Sequence, residues 1–269
     1  MSEPEVPRVD PDRGSAHKAS PIVLTGADLT VPDIEAVARA GARASLDDDA
    51  RARMQEARDL IESLVAEGAV VYGVTTGFGA LASTLIESRD AGRLQENLLM
   101  SHAAGVGPPF PREVVRAMLL LRANTLALGH SGCRPVLVDR LLDFLGLAIH
   151  PVVPEQGSVG ASGDLAPLAH LALPLIGRGQ VEFRGSVVPA MIALREAGLE
   201  PLTLEAKEGL ALLNGTQMMS AIGSPWKFPP LMTRPPPVAM VASSVIPPPG
   251  KTRGLSVAEL SSMSRTCRR

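Results

Sequence analysis

Apolar side chains recur every three or four residues over most of this chain, which is the spacing of one buried helix face. Thr30 and Pro32 have the residue types that begin a helix, and Gly68 stands where a helix commonly ends. Pro111 has the residue type to begin a later helix. The pattern predicts helices over 32–38, 54–65, 94–100, 111–129, 136–147 and 165–176, and a further helix whose first residues are 202–209.

Short extended segments are predicted between these helices. Residues 21–24 have the composition of a strand, and 181–188 that of a hairpin that turns at Arg184 and Gly185. The prolines within 149–154 favour an extended chain there. Aromatic residues make up only 3% of the sequence, whereas Ala, Leu and Val are abundant, a composition that favours helices over sheets. The predicted fold class is therefore mainly α.

Charge and cysteine content exclude several classes of function. The formal net charge is −2 and no basic stripe is present, so neither nucleic acid nor a membrane surface is expected as a partner. Cys133 and Cys267 are the only cysteines, too few for a disulfide framework or a thiolate metal site. His130, His150 and His170 lack metal-ligand spacing, so we expect no metal. Since no apolar run reaches membrane-spanning length, a cytoplasmic location is predicted.

A glycine-rich segment before the helix predicted at 165–176 has unusual chemical potential. Its glycines allow the backbone of 157–163 to turn back sharply. In a pinched backbone, the amide nitrogen of Gly163 can attack the carbonyl carbon of Ala161, and loss of one water closes a five-membered ring. Loss of a second water across Cα and Cβ of Ser162 leaves an exocyclic methylene. That methylene is a strong electrophile of a kind that no ordinary side chain supplies.

Two other interpretations of this loop remain open. Its backbone N–H groups could form an anion-binding nest at the start of a helix. The Lys-Ser or Lys-Thr pair that follows the glycines of a P-loop is absent, however. The loop could also be a structural turn in which Asp164 caps the following helix. Ala-Ser-Gly occurs by chance in many loops, so the tripeptide alone does not decide between these interpretations.

The residues around the tripeptide are more specific. The sequence GSVGASGDLAPLAH at 157–170 resembles the signature of the aromatic amino acid ammonia-lyases, and 24–223 most resembles the histidine ammonia-lyase branch of that family. Members build the electrophile 4-methylideneimidazol-5-one (MIO) from this tripeptide, so the resemblance assigns Ala161, Ser162 and Gly163 to MIO. It implies deamination of L-histidine to trans-urocanate and ammonia, the first step of histidine degradation. It also implies that no metal and no nucleotide cofactor is needed.

A second motif suggests the catalytic base. The sequence YGVTTGFG at 72–79 resembles a family loop that closes over the substrate and carries the base. The resemblance assigns this role to Tyr72, which is the only tyrosine of the chain. For a tyrosine without this context, a half-buried ring at the end of a strand would be the more common explanation.

Two further motifs concern substrate binding. Ser101 and His102 resemble the position that distinguishes substrates in the family, where Ser-His is typical of the histidine-specific members. An imidazole here can exchange a hydrogen bond with the imidazole of the substrate, which a phenyl ring cannot reciprocate. A structural role after a helix is the alternative for His102.

The sequence LLNGT at 212–216 resembles the family motif whose asparagine contacts the prosthetic ring and the substrate. The resemblance assigns this role to Asn214. The alternative for Asn214 is a structural amide inside an apolar helix.

The resemblance ends at residue 223. Prolines recur too often in 224–269 for a helix to continue, and we interpret this segment as a disordered, non-family tail, as a frameshift in a GC-rich gene would produce. Residues 1–20 are polar and without periodicity, so a disordered leader is predicted there. The MIO-bearing lyase domain and the start of an incomplete helical bundle are expected in 21–223.

The resemblance also implies a homotetramer whose active sites combine residues from three subunits. Because several site residues of the family come from the part that 224–269 replaces, we expect little activity from the 269-residue chain itself. The enzymatic alternative is an ammonia-lyase or aminomutase that acts on tyrosine or phenylalanine. The alternative from another class is a catalytically inactive helical scaffold.

Overall fold

The predicted helices form in the structure, although several of their ends differ from the prediction. In a computed structural model of the chain, the described residues are 21–77, 86, 90–158 and 165–223. They fall within one compact, mainly helical unit, and a 3₁₀ turn at Leu173–Ile176 follows its sixth helix. The α-helices are α1 (Val31–Ala38), α2 (Asp48–Ala66), α3 (Ala91–His102), α4 (Arg112–Ala127), α5 (Pro135–Gly146), α6 (Leu165–Ala172), α7 (Ala190–Glu196), α8 (Glu208–Leu213) and α9 (Gln217–Gly223).

Short strands connect these helices. In the described residues, β1 (Ile22–Leu24) pairs in parallel with β2 (Ala44–Leu46), and β3 (Val106–Pro109) pairs in antiparallel fashion with β5 (Pro154–Gln156). A third sheet has the order β4 (His150–Pro151), β6 (Gln180–Phe183) and β7 (Ser186–Pro189). The hairpin of β6 and β7 turns at Arg184 and Gly185, whose φ angles of 49° and 79° are both positive, and this confirms the predicted turn.

Local capping explains where α1 begins. The side chain of Asp33 accepts from the backbone N–H of Thr30 at 3.0 Å, and the hydroxyl of Thr30 accepts from the N–H of Asp33 at 3.4 Å. This reciprocal pair satisfies two N–H groups that the helix itself cannot satisfy. The hydrogen bonds from Thr30 also lower the pKa of Asp33. Pro32 follows the cap in the first turn, where its missing N–H has no consequence.

The fourth helix is the centre of the core. It packs against α1, α5 and α9, and buried side chains occur on all its faces. Fully buried members include Met118, Leu119 and Leu120. Burial of each such side chain stabilises the fold by about 1.5–3 kcal/mol. An all-round apolar helix of this kind is typical of the interior of a larger helical protein.

Several predicted helix ends are wrong, and α2, for example, begins at Asp48 and not at 54. The helix predicted to begin at 202 begins only at Glu208, because the buried Leu204 lies in a non-helical segment and Lys207 has a left-handed backbone with φ 72°. Asn214 therefore ends α8 and does not lie inside an apolar helix. His102 is the last residue of α3 and does not follow it. The helix predicted at 165–176 tightens to a 3₁₀ turn after Ala172, where Pro174 cannot continue the α-helical hydrogen bonds.

Several predictions fall outside the described residues. These are the leader at 1–20, the tail at 224–269, and Ala161, Ser162, Gly163 and Asp164 of the glycine-rich loop. In the part of the chain that the structure describes, no helix is both long enough and apolar enough to cross a bilayer.

Candidate functional site

The two described flanks of the glycine-rich loop meet at one residue, Gly105. The strand β5 leads into the loop and α6 follows it. Pairing of β5 with β3 places Gln156 opposite Val106. A Cβ added at Gly157 would lie 3.0 Å from Cα of Gly105 and 3.1 Å from Cβ of Ala166. The φ of 150° at Gly157 also disfavours any side chain there, so glycine is needed for the close approach. The two flanks are therefore held close together on either side of Gly105.

His170 connects α6 to the same residue. The N–H of Gly105 donates to Nε2 of His170 at 3.0 Å. Burial lowers the pKa of His170, so the ring is neutral at pH 7 and Nε2 keeps its lone pair. The sequence does not distinguish His170 from the other scattered histidines, because its partner Gly105 lies 65 residues away along the chain. The one available signal was its place at the end of the motif GSVGASGDLAPLAH.

His102 has an oriented imidazole. Its Nδ1 lies 2.8 Å from the carbonyl oxygen of Leu98, one turn earlier on α3. The hydroxyl of Ser101 donates to the same oxygen at 3.0 Å. Because a carbonyl only accepts hydrogen bonds, this contact places a proton on Nδ1 and selects the tautomer in which Nε2 has the lone pair. The ring can therefore accept a hydrogen bond from an N–H group of a ligand through Nε2.

Asn214 ends α8 with an exposed side chain. Its backbone N–H donates to the carbonyl of Leu210 at 3.1 Å, whereas its side-chain amide makes no hydrogen bond within the described residues. The alternative role for Asn214, a structural amide held by a hydrogen-bond partner, therefore has no support among the described residues. An exposed amide can donate to a ligand and accept from it without carrying charge.

Two buried polar residues hold the turn that carries Asn214, and the sequence analysis missed both. Arg122 donates to the carbonyl of Ala211 and, at 2.9 Å, to Oε1 of Gln217. Burial lowers the pKa of Arg122 to about 10, which leaves it charged at pH 7. A side chain at Gly215 would overlap both Arg122 and Gln217, so the motif LLNGT needs its glycine at this position.

The helices α3 and α8 pack against each other. Near the beginning of α3, a Cβ at Gly92 would lie 2.6 Å from the carbonyl oxygen of Leu204, in the segment that leads into α8. One turn later, the side chain of Gln95 accepts from the N–H of Leu210 at 3.2 Å. The helix α6 packs against both, so α3, which ends at His102, and α8, which is followed by Asn214, belong to one packed group of helices within the described residues.

Tyr72 lies on a turn that packs at the other end of α3. The apolar cluster beneath this turn contains Ile61, Val74, Ala91 and Ala206, and Ala91 is the first residue of α3. Residues 72–75 form a turn, so the strand end considered for this tyrosine is absent. The ring is 61% exposed. The 12 residues of α3 span about 17 Å. Among the described residues, no hydrogen bond joins Tyr72 to His102 or Asn214, so the structure does not bring the three together.

The described residues contain neither a metal centre nor a reactive thiol. No group of three or more His, Cys, Asp or Glu side chains in them is arranged to hold a metal ion. Burial, reinforced by the charge of Glu208, raises the pKa of the Cys133 thiol to about 12. This thiol stays protonated at neutral pH and is not a nucleophile.

Comparisons with known proteins show what this chain is similar to. The family model described as aromatic amino acid lyase matches residues 29–226. The histidine ammonia-lyase of Bacillus thuringiensis (strain Al Hakam) is 54% identical over 202 residues, which are 75% of this chain and 40% of that relative. The chain therefore spans less than half the length of the curated relative.

Solved structures give the same result for the fold. The histidine ammonia-lyase from Trypanosoma cruzi is 42% identical with a TM-score of 0.70, over 76% of this chain and 39% of that chain. The tyrosine aminomutase from Streptomyces globisporus is also 42% identical, with a TM-score of 0.71, over 76% of this chain and 38% of that chain. The similarity covers the described helices and confirms the mainly α fold class.

Proposed function

Because the chain belongs to the aromatic amino acid lyase family, we propose that it is part of an ammonia-lyase that converts L-histidine to trans-urocanate and ammonia. The observation that carries the choice of substrate is the imidazole of His102, whose Nε2 can accept a hydrogen bond. The imidazole ring of histidine offers an N–H group to this acceptor, whereas the rings of phenylalanine and tyrosine offer none.

The electrophile of the proposed enzyme is MIO, formed from Ala161, Ser162 and Gly163. The close approach of Gly157 to Gly105 and Ala166 supports this, because it brings together the two ends of the segment that would close the ring. The MIO methylene supplies an electrophilic carbon that engages the substrate at its amine or at its ring. No metal ion and no nucleotide is required for this chemistry.

The other residues have distinct proposed roles. Asn214 donates to and accepts from the substrate beside the prosthetic ring, and its exposed amide supports this role. Tyr72 removes the proton from Cβ of the substrate as general base. For that step the phenol has to lie near His102, which requires the turn at 72–75 to close over the C-terminal end of α3 in the assembled enzyme.

The assembly is also a proposal. We propose that the complete enzyme is a homotetramer, in which neighbouring subunits supply the residues of the site that 21–223 does not contain. The exposed apolar side chains of Val106, Val187 and Ile192 support contacts with further protein surface.

The alternative substrate is tyrosine or phenylalanine. The similarity to a tyrosine aminomutase is as high in identity as that to the histidine ammonia-lyase from Trypanosoma cruzi, so overall similarity to these structures does not decide between the substrates. His102 favours histidine for the reason given above. The non-enzymatic alternative, an inactive helical scaffold, would leave Ser162 unmodified.

Product formation tests the proposal. The purified 269-residue chain and its Ser162→Ala variant are incubated with L-histidine, L-tyrosine and L-phenylalanine, and the products are identified by mass spectrometry. Since the chain spans 40% of its Bacillus relative, the assay is repeated with a chimera in which 21–223 replace the equivalent segment of that relative. We expect urocanate from L-histidine only, and none after Ser162→Ala. Faster turnover of L-tyrosine, or full activity of the Ser162→Ala chimera, would contradict the proposal.

A further inference from the structure

Gly105 contacts both flanks of the glycine-rich loop at once. On the α6 side, its N–H donates to Nε2 of His170 at 3.0 Å. On the β5 side, its Cα would lie 3.0 Å from a Cβ at Gly157. A Cβ at Gly105 itself would lie 3.1 Å from the ring of His170 and 3.2 Å from the carbonyl oxygen of Gln156. The backbone at Gly105 is thus enclosed between the chain before the loop and the helix after it.

The helix α6 makes both of its contacts here with one face. Ala166 and His170 are four residues apart and therefore lie one above the other on the helix. Ala166 meets Gly157, and His170 meets Gly105. The contact through His170 is polar and directional, because the N–H of Gly105 needs an acceptor and the neutral imidazole offers its lone pair. The contact through Ala166 is apolar and fixes only a distance.

The position of Gly105 in the chain determines which segment this hydrogen bond holds in place. Gly105 follows His102 by three residues, after α3 has ended at His102. The segment between them is fixed at one end by the helix and at the other end by His170. Loss of the hydrogen bond would leave this segment held by the packing of α3 against α6 and by the short pairing of β3 with β5.

We propose that His170 is a positioning residue, which accepts the N–H of Gly105 and so fixes the end of α3, with Ser101 and His102, to α6 and β5. This inference rests on the proposed function for its catalytic consequence, but the hydrogen bond can be tested without any activity. His170 acts through Gly105 and touches no reacting atom. A displaced His102 would weaken the binding of L-histidine more than it would slow the chemical step.

Two polar variants of nearly equal size separate the hydrogen bond from simple packing. In His170→Gln, the amide oxygen reaches about the position of Nε2 and can still accept. In His170→Asn, the oxygen lies nearer the position of Nδ1 and cannot reach Gly105. His130→Asn is the matched control, since His130 is exposed and lies outside this region. Amide hydrogen exchange of the folded 269-residue chain is followed by NMR at Gly105.

The exchange rate at Gly105 is expected to rise about tenfold in His170→Asn, and to stay within about threefold of the wild type in His170→Gln and His130→Asn. Exchange at Gly105 that is unchanged in His170→Asn would overturn the inference. Equal loss of protection in both His170 variants would overturn it as well, since packing of the ring and not its lone pair would then hold Gly105.

The kinetic arm uses the same variants in the chimera with the Bacillus relative, and L-histidine as the substrate. We expect His170→Asn to raise KM about tenfold with kcat within about threefold, and His170→Gln to restore most of the KM. A chimera with wild-type 21–223 but without activity on L-histidine would contradict the proposed function, and the exchange rates would still decide whether His170 holds Gly105. An active chimera in which His170→Asn leaves KM unchanged would overturn the positioning role while the proposed function stands.

Discussion

Glu208 and Arg134 form an ion pair whose carboxylate is fully buried at the beginning of α8. Nη2 of Arg134 lies 2.6 Å from Oε2 of Glu208, and Nε lies 2.8 Å from Oε1. The backbone N–H groups of Arg134 and Glu205 also donate to this carboxylate, at 3.0 and 2.9 Å. The hydrogen bond that Arg134 donates to Glu208 is the main cause of the raised pKa of Arg134. The pair fixes where α8 begins, and α8 carries Asn214.

The Glu208→Gln variant is expected to lose about 1.5–3 kcal/mol of unfolding free energy, because its amide NH2 cannot accept from the buried donors that the carboxylate satisfies, whereas Arg134 keeps its ion pair with Glu205. The control is Glu196→Gln, which breaks the exposed ion pair with Arg184 and should cost less than about 1 kcal/mol. Urea unfolding followed by circular dichroism measures both. Equal losses in the two variants would contradict the structural role of Glu208.

His150 makes the stability depend on pH. Burial, with the charges of Arg116 and Arg112, lowers its pKa to about 4, against the weaker opposing effect of Glu182. Nη1 of Arg116 donates to Nε2 at 3.2 Å, which requires a neutral ring. Since the pKa of His150 in the folded chain lies below the ordinary 6.5, His150 takes up a proton more readily in the unfolded chain. The contribution of His150 to the unfolding free energy is therefore complete above pH 6.5 and is lost as the pH falls toward 4.

Between pH 6.5 and 5, this one group should remove about 2 kcal/mol of unfolding free energy. Over the same interval the His150→Gln variant should lose less unfolding free energy than the wild type, by about that amount, because glutamine does not titrate. Urea unfolding at the two pH values gives the comparison, and other titrating groups cancel between the two proteins. Identical slopes for wild type and variant would show that His150 titrates normally in the folded chain.

The substitution His102→Leu tests the choice of substrate. It should lower kcat/KM for L-histidine by about tenfold to a hundredfold, because the substrate N–H then loses its acceptor. The value for L-phenylalanine should fall less or rise. The kcat/KM of His102→Gln, which retains an acceptor near the position of Nε2, should lie between the values of His102→Leu and the wild type. Steady-state kinetics on the chimera described above provide the values, and an equal fall for both substrates would argue against a selective hydrogen bond.

The features that were predictable from sequence are those with local causes. The cap of α1 follows from Thr30 and Asp33, three residues apart, and the hairpin follows from Arg184 and Gly185. The late start of α8 was not predictable, because it depends on Glu208 binding Arg134, 74 residues earlier in the chain. For the same reason, neither the support of the turn at Asn214 by Arg122 nor the contact of His170 with Gly105 was predictable. The motifs identified candidate residues, whereas their surroundings depend on non-local contacts.

The substitution Tyr72→Phe removes the proposed base and keeps the ring. It should lower kcat for L-histidine by about a hundredfold to ten-thousandfold, with a small effect on KM, because the phenol takes part in the chemical step. The loss of two waters at 161–163 should remain, since Tyr72 has no role in ring closure. Activity of the variant close to that of the wild type would exclude Tyr72 as the base.

The central claim is that 161–163 become an electrophilic ring, and mass spectrometry of the purified chain tests it most directly. The intact wild-type chain should be lighter than its sequence by the mass of two water molecules. Peptide mapping should place the whole deficit on the peptide that contains Ala161, Ser162 and Gly163. The Ser162→Ala variant should show no loss of the second water. A mature wild-type chain with its full sequence mass and an intact Ser162 hydroxyl would contradict the account.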